Sequence, residues 1–226
     1  GNRKRKTYSK RHAYTRDWKA KQSAESSIVL SVTQNSVYLR QLLEQLIQYN
    51  IELISIVHDG SPRIIQILEQ YQLPFIEIPH FIGHDVAFAI GSELATGRNI
   101  IFHDTTVPID ALSFIPFLQH LEQGQADITL NDHSRYFGKL EGMQTVHIGN
   151  CFVNIMARKN DLTTSSLLLP PYGMSRNALE RIGSFVLMSP CVAHLRALHL
   201  DLKVKPVVEI DYHERINETL KPIVLN

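Results

Sequence analysis

The chain has 226 residues, of which 44% are hydrophobic and 20% charged, so it is long enough to bury a full core without disulfides or metal ions. No apolar run reaches the roughly 18 residues that a membrane-spanning helix needs, and we expect neither a transmembrane segment nor a signal peptide. Cys151 and Cys191 suit small buried groups in a reducing compartment, so we expect a cytoplasmic protein.

A basic N-terminal arm over residues 1–26 is concealed by the formal net charge of +1. Its first 21 residues carry nine of the 23 Lys and Arg residues and a single acid, Asp17. Such an arm could contact an anionic partner, including the surface of a membrane. We favour a solvated leader, because no recognisable nucleic-acid-binding module accompanies the arm.

Apolar strands alternate with amphipathic helices in the first half of the chain. The predicted elements are a strand at Ile28–Thr33, a helix over 37–49, a strand at Ile51–Val57, a helix from Pro62 to Tyr71, a strand at Phe75–Ile78, a helix over 84–96 and a strand at Asn99–His103. This alternation predicts an α/β protein with a mostly parallel central sheet between layers of helices.

The second half is less regular. The patterns predict a helix within Ile109–Glu122, a strand at Asp127–Leu130, a turn at Gly138–Thr145, a strand at His147–Ala157, helices at Leu179–Phe185 and Val192–His199, and a strand at Lys203–Ile210. Residues 122–125 and 160–178 are expected to form exposed loops.

Polar segments follow the four strands of the first half. They are Thr33–Ser36, His58–Ser61, His80–Gly83 and Asp104–Thr106. Because the carboxyl ends of parallel strands meet at one edge of a sheet, where ligands bind, these segments predict one binding site.

Three of the segments also carry a resemblance to a known family. They are the turn Val32–Asn35, the turn His58–Ser61 and the stretch Ala95–Asp104. In order and spacing they resemble the nucleotide-binding half of the family 2 glycosyltransferases, which have the Rossmann-like, three-layer GT-A fold. The resemblance implies one GT-A-like domain over residues 27–226, with a nucleotide-binding half at 27–106 and an acceptor half at 107–226.

The resemblance implies transfer of a sugar from a nucleoside diphosphate donor, above all a UDP-sugar, to a glycan, lipid or protein acceptor. The nucleotide-binding candidates are Thr33, Asn35, Asp59, Gly83, His84, Asp85, His103 and Asp104. Local structural roles compete with binding, because Asp59 could simply form a turn with Gly60, and Thr33 and Asn35 could cap a helix.

A divalent cation, Mg²⁺ or Mn²⁺, usually neutralises the leaving phosphates in this family. Asp104 matches the first acid of the family's D-x-D motif, but Thr106 stands where the second acid would be. His103 could join Asp104 as a ligand, although a lone His beside an Asp more often forms a hydrogen-bonded pair. One carboxylate is a poor ligand set for either ion, so we expect little dependence on metal.

The family's acidic pair, the expected catalytic base, has no counterpart at Met188–Cys191. The candidates to replace it are Asp132 and His133, or Asp211 and His213, because a carboxylate or an imidazole can take a proton from an acceptor. Each could equally be an ordinary surface group.

The sequence leaves two alternatives to an active glycosyltransferase. The missing acids favour a degenerate GT-A domain that acts as a binding or scaffold module. A sugar nucleotidyltransferase is disfavoured, because Thr33–Ser36 lacks the glycine-rich loop with a basic residue that those enzymes carry after the first strand.

Overall fold

A computed structural model describes residues 25–138 and 145–210. The strands are β1 (Ser26–Val32), β2 (Glu52–His58), β3 (Phe75–Ile78), β4 (Asn99–Asp104), β5 (Ile128–Asn131), β6 (Tyr172–Ser175) and β7 (Val204–Val208). The helices are α1 (Leu39–Leu46), α2 (Pro62–Gln70), α3 (His84–Leu94), α4 (Ile115–Glu122), α5 (Thr145–Met156), α6 (Arg176–Ile182) and α7 (Pro190–His199). Short 3-10 turns occupy Ala111–Phe114, Ser134–Tyr136, Asn160–Leu162 and Ser184–Met188.

The strands form one sheet in the order β3-β2-β1-β4-β6-β5-β7. β6 runs antiparallel to both of its neighbours, β4 and β5, while the other paired strands are parallel. Every residue of β1 is buried, as expected for a central strand that helices cover on both faces. The predicted mostly parallel sheet is therefore confirmed.

Helices cover both faces of the sheet, which gives three layers. One apolar cluster joins α3, α6 and α7 to the face that carries Phe102 and Tyr172. The other joins α1, α2 and α4 to the face that carries Ile101. A glycine sets the distance between α3 and β1, because a Cβ on Gly91 would lie 2.2 Å from Val29 Cγ1.

The predicted strand at His147–Ala157 is wrong, since all of these residues except Ala157 belong to helix α5. The buried positions of α5 are polar and lie at helical spacing: His147, Asn150 and Asn154. Several of its large apolar side chains, including Phe152, are exposed instead. Helix α5 therefore buries a polar face, whereas most helices of globular proteins bury their apolar face.

The prediction of an exposed loop over residues 160–178 is also wrong, because it contains β6 in the middle of the sheet. Tyr172 is buried, and the Pro170–Pro171 peptide bond before it is cis. A Cβ on Gly173 would lie 2.6 Å from Thr129 Oγ1 and 2.8 Å from Ile101 Cδ1, so this site requires glycine. A four-residue strand that contains glycine gives almost no strand signal.

The remaining differences concern boundaries. The predicted helix at Leu179–Phe185 is in fact α6 followed by the 3-10 turn at Ser184–Met188. The arm (residues 1–26) lies almost entirely outside the described residues, and so do Asp211, His213 and most of the predicted turn at Gly138–Thr145. In the part of the chain that is described, no helix has both the length and the apolar character needed to cross a membrane.

Candidate functional site

The ends of β1, β2 and β4 form one rim at the carboxyl edge of the sheet. The backbone N–H of Gln34 donates to the carbonyl of Asp59 at 3.1 Å, and the N–H of Thr105 donates to the carbonyl of Ser31 at 3.1 Å. The turns that follow β2 and β4 are thus tied to β1 and to the turn that follows it. The structure brings Thr33, Asp59 and Asp104 to the same edge, and we call this edge the rim.

Asp59 occupies the turn after β2 in a strained backbone conformation. Its φ is 54°, in the left-handed region that Asp and Asn adopt more readily than most residues. Its Oδ2 accepts a hydrogen bond of 2.9 Å from Gln34 Nε2, which links the turns after β2 and β1. The carboxylate is partly exposed, so it serves the turn and still faces solvent.

The turn after β1 is rigid because its hydroxyl groups are hydrogen-bonded inward. Thr33 is buried, and its Oγ1 accepts from the N–H of Asn35 at 3.1 Å. Ser36 Oγ accepts from the N–H of Thr33 at 2.9 Å and contacts Thr105 Oγ1 at 2.6 Å. Asn35 is exposed, so it is the side chain of this turn that is free to reach a ligand.

Two histidines and a serine form a hydrogen-bonded group at the rim, in which Ser31 and His58 are buried and His84 is partly exposed. Ser31 Oγ lies 2.8 Å from His58 Nε2 and 2.8 Å from His84 Nδ1. The rings of His58 and His84 both pack against Phe81, with centroid distances of 5.0 and 5.7 Å. Burial lowers the pKa of His58, and the neighbouring His84 lowers it further. We call Ser31, His58 and His84 the histidine chain.

Helix α3 begins at the rim and carries two of the predicted residues. Gly83, just before it, has φ 90°, a conformation that favours glycine. His84 Nδ1 lies 3.4 Å from Asp104 Oδ1. Burial raises the pKa of the Asp85 carboxyl, which His84 opposes and Asp104 reinforces. His84, Asp85 and Asp104 therefore act on one another electrostatically.

The residues at the end of β4 do not fit a site for Mg²⁺ or Mn²⁺. Asp104 Oδ1 already accepts from the N–H and the hydroxyl of Thr106, at 2.9 and 2.8 Å. His103 is buried on the opposite face of β4, where its ring lies 5.5 Å from that of Phe114. Its pKa is lowered to about 4 by burial. Residues 25–138 and 145–210 contain no group of three or more metal-ligating side chains.

Tyr172 is a rim residue that the sequence analysis did not identify. Because β6 is antiparallel, its first residue lies at the carboxyl end of β4, opposite Phe102. The Tyr172 ring packs on Phe102 at 5.0 Å and on Phe88 at 5.9 Å. Burial raises the pKa of its phenol well above the usual range, and Asp85 raises it further. Tyr172 therefore lies close to the first turn of α3.

Asp132 and His133 follow β5, two strands along the rim from β4. At about 4.8 Å per strand, they stand roughly 10 Å from the end of β4. Asp132 Oδ1 accepts from the N–H of Ser134 at 2.8 Å. His133 is buried, and its ring faces that of His147 at 5.6 Å. Asp132 is thus the more accessible of the two groups.

A buried polar layer under α5 supports this part of the rim. The Asn154 amide donates to the carbonyls of Thr163 and Ser165, at 3.1 and 3.0 Å, and its Oδ1 lies 2.8 Å from His194 Nε2. Ser165 Oγ in turn accepts from the N–H of His133 at 2.9 Å. The layer holds the segment on which His133 rests. No apolar pattern in the sequence could have revealed it.

Comparison with solved structures identifies the architecture. S. aureus TarS, residues 1–349, matches with a TM-score of 0.57 and 13% identity over 83% of this chain. Glucosyl-3-phosphoglycerate synthase from Mycobacterium tuberculosis, in complex with Mn²⁺, UDP and glucosyl-3-phosphoglycerate, matches with a TM-score of 0.60 and 13% identity over 86% of this chain. The fold is of the GT-A type.

Other comparisons limit what the GT-A fold implies. The chain spans 59% of the length of TarS 1–349 and 75% of that of the synthase. No protein-family profile matches it, and no curated protein sequence does. At this level of identity the similarity establishes the GT-A architecture alone.

Proposed function

We propose that this chain binds a nucleoside diphosphate sugar, above all a UDP-sugar, at the rim and transfers the sugar to a glycan, lipid or protein acceptor, as family 2 glycosyltransferases do. The observation that carries the proposal is the hydrogen-bonded convergence of the turns after β1, β2 and β4, with Asp59 and Asp104 at one edge. Solved structures of similar fold, TarS and the synthase, contain UDP, which supports the donor class.

Different parts of the rim suit different parts of the nucleotide. Asn35 and the Asp59 carboxylate suit the N–H groups of a base and the hydroxyls of a ribose. His84 Nδ1 lies 3.4 Å from Asp104 Oδ1, and the diphosphate would follow at this pair. The sugar would then extend along the rim toward β5.

Asp132 is the group we assign to deprotonation of the acceptor. It lies roughly 10 Å from the end of β4, far enough for a sugar to stand between the diphosphate and the base. A carboxylate there could take the proton from an acceptor hydroxyl as the sugar–phosphate bond breaks. His133 is buried beside it, and Asp211 and His213 remain alternative bases.

Binding of UDP measured by calorimetry tests the donor site. Asp59→Asn keeps a residue that tolerates the left-handed backbone and removes the charge, so it should weaken UDP binding about tenfold, the usual effect of losing a hydrogen bond to a charged group. Glu69→Ala, which alters an exposed carboxylate on α2, is the matched control. Equal affinity in both variants would refute the assignment of Asp59.

A degenerate binding module is the second candidate, and Thr106 favours it. Its hydroxyl binds Asp104 where the family would place a second carboxylate, so the group that usually assists the leaving phosphate is missing. This candidate predicts saturable UDP binding with neither hydrolysis nor transfer of the sugar. Release of UDP from a UDP-sugar would exclude it.

A further inference from the structure

The hydrogen bonds of the histidine chain determine which ring nitrogens carry the protons. The backbone N–H of Ile82 can only donate, and it lies 3.4 Å from His58 Nδ1. His58 Nδ1 is therefore the acceptor, and the proton of this neutral ring is on Nε2. Burial lowers the pKa of His58, which keeps the ring neutral at physiological pH.

The Ser31 hydroxyl links His58 to His84 at the rim. His58 Nε2–H donates to Ser31 Oγ at 2.8 Å, which leaves the Ser31 hydroxyl hydrogen in need of an acceptor. Among the described residues, the remaining partner of Ser31 Oγ is His84 Nδ1, at 2.8 Å. Ser31 is fully buried, so water cannot take that place. In the neutral ring, His84 Nδ1 accepts this hydrogen, and the His84 proton is on Nε2.

Nε2 is the nitrogen of the His84 ring that is left to bind a ligand at the rim. The His84 side chain is 28% exposed, and Nε2 has no hydrogen-bond partner within the described ranges. The 3.4 Å separation between Nδ1 and Asp104 Oδ1 is longer than the bond to Ser31, so Ser31 sets the orientation of the ring. Asp104 meanwhile accepts both donors of Thr106.

We propose that the rim binds the diphosphate of a nucleoside diphosphate without a divalent cation, through the Nε2–H of His84, which Ser31 and His58 hold in a single tautomer. This inference rests on the proposed function for its ligand class. His84 is the binding residue, and Ser31 and His58 are positioning residues.

Two amide substitutions distinguish the roles of the two nitrogens of the His84 ring. The amide nitrogen of Gln can occupy the place of Nε2, whereas that of Asn reaches only the place of Nδ1. UDP affinity, measured by calorimetry in EDTA, should fall about tenfold in His84→Asn and by less than about threefold in His84→Gln. Equal losses in the two variants would overturn the role of Nε2–H.

Metal dependence provides the second arm of this experiment. Addition of Mn²⁺ in place of EDTA should change the wild-type affinity for UDP by less than about threefold. Binding that requires Mn²⁺ would overturn the metal-free site and leave the donor site itself intact. Absence of binding in both buffers would overturn the proposed function as well.

The tautomer can be measured without any ligand. In ¹⁵N NMR spectra of histidine-labelled protein, His84 should show a protonated Nε2 and an unprotonated Nδ1. Ser31→Ala should mix the two forms while the backbone spectrum keeps its dispersion, an effect that a purely structural role of Ser31 would not produce. A wild-type spectrum with the proton on Nδ1 would refute the histidine chain whatever the protein binds.

Discussion

His194, on α7, should make the stability of the protein sensitive to acid. Asn154 uses its amide hydrogens on two carbonyls, so His194 Nε2–H must donate to Asn154 Oδ1, at 2.8 Å. His194 Nδ1 is buried and has no partner within residues 25–138 and 145–210. Protonation would therefore place an uncompensated charge in the interior, and burial lowers the pKa of His194 to about 4.

The size of the effect follows from this pKa. In the unfolded chain the imidazole has a pKa of 6.5, whereas in the folded protein it binds a proton only as the pH approaches 4. The stabilisation that neutral His194 provides is thus complete above pH 6.5 and declines as the pH falls toward about 4. Between about pH 7.5 and pH 5 the loss from this one residue is about 2 kcal/mol.

Denaturant unfolding of the wild type and of His194→Gln at the two pH values measures this contribution. The variant cannot titrate, so its free energy of unfolding should fall by about 2 kcal/mol less than that of the wild type. His199→Gln is the matched control, because His199 is exposed on the same helix. Equal acid sensitivity in the wild type and in His194→Gln would refute the assignment of a neutral, buried imidazole.

Two glycines in the core and the proposed catalytic base can each be tested by a single substitution. Gly91→Ala should lower the free energy of unfolding by about 2 kcal/mol, because the new Cβ would lie 2.2 Å from Val29 Cγ1; chemical denaturation with Gly149→Ala as control tests this, since a Cβ there meets nothing. Gly173→Ala should be at least as damaging, because the new Cβ would lie 2.6 Å from Thr129 Oγ1 and 2.8 Å from Ile101 Cδ1. A melting temperature equal to that of the wild type would contradict this packing. Asp132→Asn should abolish sugar transfer and leave UDP affinity unchanged; a parallel loss of UDP affinity would place Asp132 in the donor site instead of at the acceptor.

The first half of the fold was predictable because its signals are local and strong. The strands from β1 to β4 are apolar runs, and each is closed by a polar turn or loop. The strand ends then indicated where Asp59 and Asp104 would meet, since ligand sites of parallel sheets lie at that edge. The carboxyl edge of the sheet was therefore determined by pattern alone.

The second half was not predictable, because its decisive features are not apolar. Helix α5 buries His147, Asn150 and Asn154, so its buried stripe is invisible to a search for hydrophobic periodicity. Strand β6 depends on Gly173, a residue that usually weakens a strand, and on the close approach of its neighbours. In both cases tertiary contacts, and not local propensity, decide the structure.

The candidate site was likewise predictable only in part. His84 was among the predicted nucleotide-binding residues, but Ser31 and His58 were not assigned a function. The alternation of side chains along a strand could have revealed Ser31, a polar residue in the middle of an apolar run. The same alternation explains why His103 lies on the face opposite to that of its neighbour Asp104.

The position of β6 bears on how the protein is made. β4 gains its outer neighbour only when residues 172–175 arrive, since β6 hydrogen-bonds to β4 on one side and to β5 on the other. During synthesis, the open flank of β4 is therefore shielded only after residues 172–175 have left the ribosome. A nascent polypeptide that stops short of Tyr172 would expose that flank, and exposed strand edges pair with the strands of other molecules.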